Sequence, residues 1–276
     1  MYEVHVHALQ LLLNMRGGVS SLGWKGTLSL LIHTFVVPSE DAYKLMDRSG
    51  TLIHATISGQ LPLLEAPSIK SNPLIKYLPS FVPILHTTAG SIIMEIDFLM
   101  CLYRDLANIQ QELFEDSNVT SDTVSCFIEL CLAVEHRTLC SYHLFSDVTP
   151  SPQNLVYKGA HLALKLCMSL IFRNFGARSA TIISLQSRLE PILIELAIEG
   201  LSTCDQHDKR VYIWTVWIGS IATQDSGGYV TQLVKALNSV SVCTWDDLRN
   251  ILQQFVWGPR LERVPCWELC NRIGLT

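Results

Sequence analysis

The sequence predicts an all-α protein, folded as a single irregular multi-helix array, and three observations lead there. Apolar residues recur at three- and four-residue spacing through most of the 276 residues. Helix-start signatures stand at Ser151-Pro152 and at Thr244-Trp-Asp-Asp247. No repeat of fixed period and no low-complexity linker divides the chain, which is long enough to bury a sizeable core as one domain.

Each element has its own warrant. Val6, Leu9, Leu12 and Leu13 share one face of a helix from about Glu3 to Arg16. Gly17-Gly18 ends it, because glycine takes the left-handed conformation needed just past a helix C-terminus. A second helix is expected from about Trp24 to Val37, stopped by Pro38, and Ser39-Glu-Asp opens a short third. Residues 49–89 carry Pro62, Pro67, Pro73, Pro79 and Pro83, so loop and short helical turns are expected, with an extended segment over Thr51–Ile57. Long helices follow over about Ser91–Phe114 and Thr120–Leu144. The helix opened by Ser151-Pro152 is expected to reach Phe175; Ser179 restarts the chain, and Pro191 kinks or divides the next helix. The last helices are expected at about Asp208–Thr223, Gly228–Ser239, Thr244–Trp257 and Val264–Arg272.

Composition limits what the chain does. Hydrophobic residues make up 49% and charged residues 16%, with a mean hydropathy of +0.28. The longest apolar runs, Leu28–Val37, Leu162–Phe172 and Val211–Ala222, are interrupted or shorter than the ~20 residues that span a bilayer, so no membrane partner is expected. A net charge of −5 argues against independent nucleic-acid binding, which shows as a basic patch or stripe. The nine cysteines form no framework, and Met1-Tyr-Glu-Val-His lacks the basic start and apolar core of a signal peptide. Buried free thiols in a reducing compartment are the expectation.

Candidate chemistry gives way to simpler readings. His5-Val-His7 needs a strand to aim both imidazoles one way, and here it sits on a helix. Cys266-x3-Cys270 has no histidine near in sequence to complete a zinc set, and no four-ligand set can be assembled around Cys126-x4-Cys131, so packing is the better reading of both. Gln224-Asp-Ser226-Gly-Gly228 lacks a partner histidine, and Arg16-Gly-Gly lacks the strand and lysine of a phosphate loop. Glu129, Glu135 and His136 do not have diiron spacing and are expected on a surface face. No catalytic residue, metal site or cofactor is expected.

The last quarter is the most informative. Trp214 and Trp217 lie on an apolar helix. In the following capped helix, Trp245, Leu248, Ile251, Leu252 and Phe255 recur at helical spacing, so one face is built for burial.

Three segments, His7–Gly23 with Arg16-Gly17-Gly18, Ala163–Leu196 and Trp214–Trp257, together resemble the C-terminal regulatory region of fungal-specific transcription factors, the class that usually carries an N-terminal binuclear zinc cluster. The first is His7 to Gly23, with Arg16, Gly17 and Gly18 after its helix. The second, Ala163 to Leu196, is similar to the family's helix pair joined at a turn, here Arg173-Asn174-Phe175. The third runs from Trp214 through a small-residue turn at Gly219 to the closing pattern of Trp245, Leu248, Leu252, Phe255 and Trp257. The resemblance implies a helical regulatory domain of a nuclear transcription regulator, acting through protein partners (transcription machinery or a homologous regulator) or a small-molecule effector. It does not imply an enzyme. The family's six-cysteine cluster and basic linker have no counterpart in this sequence, so direct DNA binding is not carried over; a fragment, or a regulator that lost its DNA-binding half, is the expectation. An all-α scaffold or adaptor is the alternative, and an enzyme with a helix-lined apolar pocket the third reading.

Overall fold

The computed structural model describes residues 51–58, 71–78, 92–115, 119–141, 151–172, 179–199, 201–223, 227–258, 261, 269–271 and 273–275. The first three expected helices, with Arg16, Gly17 and Gly18, lie outside the described residues, as does most of Val264–Arg272. Every regular element among the described residues is helical, and the fold is all-α as expected. The elements are α1 (residues 51–58), a 3-10 turn Pro73–Tyr77, α2 (Ile92–Glu115), α3 (Ser121–Ser141), α4 (Pro152–Cys167) with a π turn Met168–Phe172, α5 (Ala180–Glu199), α6 (Gln206–Thr223), α7 (Gly227–Ser239) and α8 (Trp245–Leu252).

Helix α4 is the centre, packing against α2, α3, α5 and α6. Ser151 caps it by accepting from the Asn154 amide, and Pro152 occupies the first turn, where its missing N–H has no helical acceptor to lose. From Leu155 to Cys167 all but Lys158 are buried. With the π turn, Pro152–Phe172 is long and apolar enough to cross a membrane, which corrects the expectation drawn from the shorter run Leu162–Phe172. Of its apolar stretch, 89% is buried inside the protein. One large cluster, running from Leu74 to Leu275, contains the side chains around it.

Three other expectations change, and a fourth is narrowed. Residues 51–58 form a helix rather than an extended segment: Thr56 Oγ1 donates to Leu52 O at 2.9 Å, and Leu52 and Ala55, one turn apart, pack onto Leu132 and Leu139 of α3. Of the two outcomes expected at Pro191, a kink or a division, the division does not occur, because α5 runs through it. Pro191 and Ser187, whose carbonyl would have received the missing amide, both lie on the exposed face, where water can satisfy it.

Gly219 lies inside α6, not in a turn. A Cβ added there would sit 2.8 Å from Tyr229 Cδ1, so the glycine lets α7 press its aromatic ring onto α6. Finally, α8 ends at Leu252 instead of Trp257. The chain tightens into Gln254 N–Ile251 O and Phe255 N–Leu252 O bonds, both 3.1 Å, and leaves the helical path.

Gly219→Ala should therefore force α6 and α7 apart and destabilise the protein by about 1–3 kcal/mol, the usual range for overpacking. Urea melts should show the loss, whereas an unchanged midpoint would mean that α7 is not seated on Gly219.

Candidate functional site

Two groups of side chains stand out, one anticipated from sequence and one not. The anticipated group is built on α6. Trp214 and Trp217 are fully buried, as are Leu248 and Leu252 of α8. Thr244 starts α8 with a reciprocal cap: its hydroxyl accepts from the Asp247 amide at 3.2 Å, and the Asp247 carboxylate accepts from the Thr244 amide at 3.2 Å. The Thr244 hydroxyl donates to that carboxylate at 2.7 Å, and these bonds hold Asp247 below the usual carboxylate range.

The departure from the helix after Leu252 is what closes the unit. It folds Phe255 back onto Trp214, with ring centres 5.9 Å apart, and leaves the Val256 carbonyl to accept from Trp214 Nε1 at 3.1 Å. Continued helix would commit that carbonyl to an amide four residues on. Trp217, Trp245 and Trp257 form a triangle with ring centres 5.8, 6.4 and 6.3 Å apart. Trp217 is completely buried, whereas Trp245 and Trp257 are half-buried at its edge. The Trp217 indole N–H has no acceptor among the described residues. Separations of about 6 Å are those of rings packed on each other, and the indoles fill the space between them.

The second group lies where α4 meets α3 and α5. Thr138 Oγ1 donates to Val134 O at 2.8 Å, so it accepts from the Tyr103 hydroxyl at 3.1 Å. Thr138 O lies in the last described turn of α3. It accepts from Ser141 Oγ at 2.9 Å and from His161 Nε2 at 2.6 Å. A carbonyl only accepts, so His161 carries its proton on Nε2. One turn along α4 lies Lys165, 3% exposed, with Glu135 and Cys140 of α3 and Arg188 of α5 acting on its charge.

Burial, with Lys165 second, holds the His161 imidazolium well below its ordinary range. Burial and then Arg188 push the Lys165 ammonium down to about 7, against the pull of Glu135. Glu135 is itself buried, which corrects its expected place on a surface face. Beside this group, Arg137 donates through Nε and Nη2 to the Glu95 carboxylate at 3.0 and 3.1 Å and stacks 4.1 Å from the centre of the Phe98 ring.

A smaller polar group ties the starts of α4 and α6 to α2. Buried Asp208 accepts from Gln153 Nε2 at 3.2 and 3.4 Å, while its own amide donates to Asp205 Oδ1 at 2.8 Å. Asp97 of α2 stands 3.6 Å from His207 Nε2, and burial raises its carboxyl despite that histidine. Among the described residues no three histidine, cysteine or acidic side chains lie close enough to hold a metal ion. No described cysteine forms a disulfide: Cys167, Cys204 and Cys270 are buried, but Cys243 is exposed, against the expectation of burial.

Sequence reasoning missed the His161–Lys165 group because both residues sit singly in an apolar helix. The i, i+4 spacing of two bases in the most apolar stretch was the available signal. Comparison with known proteins adds no family: no family model matches, no curated protein matches, and no solved structure matches.

Two measurements test these arrangements. Phe255→Ala should cost about 3–5 kcal/mol, as for other buried aromatic truncations, whereas exposed Gln253→Ala should cost little. Equal urea midpoints would show Phe255 undocked from Trp214. Lys165 supplies a pH signature. The unfolded chain keeps this amine protonated to about 10.4, but the folded protein releases the proton near 7. Between those values the unfolded state binds more protons, so stability should rise with pH by up to about 1.4 kcal/mol per unit. Burial raises the thiols of Cys140 and Cys167 above 9.0, which opposes this trend at higher pH. Melts at pH 7–8.5 should show the rise, and Lys165→Met should flatten it.

Proposed function

We propose that the chain is the helical regulatory part of a transcription regulator, similar to the regulatory region of fungal-specific transcription factors. It works in the nucleus through protein partners or a small effector and does not itself contact DNA. One observation carries this reading. Trp214, Trp217, Trp245, Leu248, Leu252, Phe255 and Trp257, on which the third segment of the resemblance rests, close on one another as one packed unit. A module that relays a binding event needs such a rigid element to move or hold as a body. The net charge of −5 supports action through partners rather than phosphates.

A scaffold or adaptor without a transcriptional role is the second reading. Ile183 and Ile194 favour it, being 54% and 46% exposed on α5, where a partner helix could lie.

Tethered to an unrelated DNA-binding domain in a fungal cell, the chain should change reporter transcription several-fold. Gln253→Ala should preserve the effect, and Phe255→Ala should remove it. A folded, nuclear fusion without effect would favour the adaptor. The chain alone should not shift duplex DNA in a gel at physiological salt; tight, salt-sensitive binding would contradict the proposed division of labour.

A further inference from the structure

We propose that α1 is a strap that opens separately from the main core, together with the last turn of α3, and that proton uptake by His161 drives the opening. The strap is held by its own small cluster, Leu52 and Ala55 on Leu132 and Leu139, with Ile128 at its edge, distinct from the large core around α4. Its far end is tied to α5 by two bonds. Arg188 Nη1 donates to Thr56 O at 3.2 Å, and Ser184 Oγ donates to Ile57 O at 3.1 Å. Helices in proteins draw most of their stability from tertiary packing, so these contacts bear on whether α1 stays formed. Segments with few buried contacts open at a free energy well below that of global unfolding.

Leu139 links the strap to the proton. It lies in the α3 turn Thr138–Ser141, whose Thr138 carbonyl and Ser141 hydroxyl are 2.6 and 3.2 Å from His161 Nε2. Freeing that turn breaks both contacts to the imidazole Nε2. The groups bearing on His161 and its neighbour Lys165 are Tyr103 from α2, Glu135 and Cys140 from α3, Lys165 within α4, and Arg188 from α5. His54 on α1 is exposed. Lys165 and Arg188 both oppose a proton on His161, and the only acid among these groups, Glu135, faces Lys165. Arg188 is also the strap's own anchor, so the cation that opposes the proton and the cation that holds Thr56 are the same.

The size of the effect follows from linkage. Closed, His161 stays neutral well below pH 6.5; once undocked it titrates near its ordinary value of about 6.5. Opening is then favoured about tenfold at pH 5.5 relative to pH 7.5.

Hydrogen exchange on the whole chain tests this, with labelling times scaled for the intrinsic pH dependence of exchange. At pH 5.5 the amides of α1 and of Thr138–Ser141 should exchange about tenfold faster than at pH 7.5, while those of α6 keep their protection. His161→Gln, neutral at both pH values, should abolish the difference. Leu52→Ala should speed exchange over α1 at both pH values and leave α6 protected. The proposal is overturned by a pH-independent α1, by α6 losing protection equally, by a tenfold response surviving in His161→Gln, or by an α1 indifferent to Leu52→Ala. Should His161→Gln not fold, the wild-type and Leu52→Ala comparisons still decide.

Discussion

The rest of this structure depends on a helix with almost no exposed side. Once α4 is enclosed by α2, α3, α5 and α6, each polar group it carries must be satisfied inside the protein. His161 meets that demand through Nε2, which bonds to Thr138 O of α3, and Ser169 by donating to Lys165 O at 3.0 Å. The cost of desolvating the imidazole and the amine is thereby turned into fixed positions for neighbouring helices. An apolar helix of the same shape would bury as much surface while leaving α3 free to slide. Polar contacts of this kind add little net stability and a good deal of uniqueness.

The C-terminal unit solves a different problem. Helix α8 has only eight residues and a strongly charged outer face, so it cannot hold itself in place. It is fixed at its start by the Thr244–Asp247 cap and beyond its end by Phe255, Val256 and Trp257, which grip α6 after the helix has stopped. Gly219 admits Tyr229 to the same helix from α7. Helix α6 thus receives aromatic rings from two following elements and remains covered along its whole apolar length.

Much of this was legible in sequence, for identifiable reasons. Caps are local chemistry, so Ser151-Pro152 and Thr244–Asp247 located two helix starts correctly. Periodicity identified Leu248 and Leu252 as buried. It also carried α8 too far, because Phe255 continues the helical spacing although the backbone has already turned. Gly219 reads as a turn residue in isolation, and only the ring of Tyr229 explains it as a contact. Thr51–Ile57, with its β-branched residues, reads as extended because local propensity is weak against tertiary contacts such as those with Leu132 and Leu139. The His161–Lys165 group was the least legible, since its meaning lies in which residues of α3 and α5 come to face it.

Four of the protein's six tryptophans, Trp214, Trp217, Trp245 and Trp257, belong to the C-terminal unit. Indoles packed 5.8–6.4 Å apart share excitation energy readily. The intrinsic fluorescence of this protein is therefore weighted toward one corner of the molecule, whereas its far-ultraviolet dichroism averages over all the helices. Two optical signals that usually serve as interchangeable measures of unfolding would here watch different parts of the chain. Any gap between their transitions would mark the order in which those parts let go.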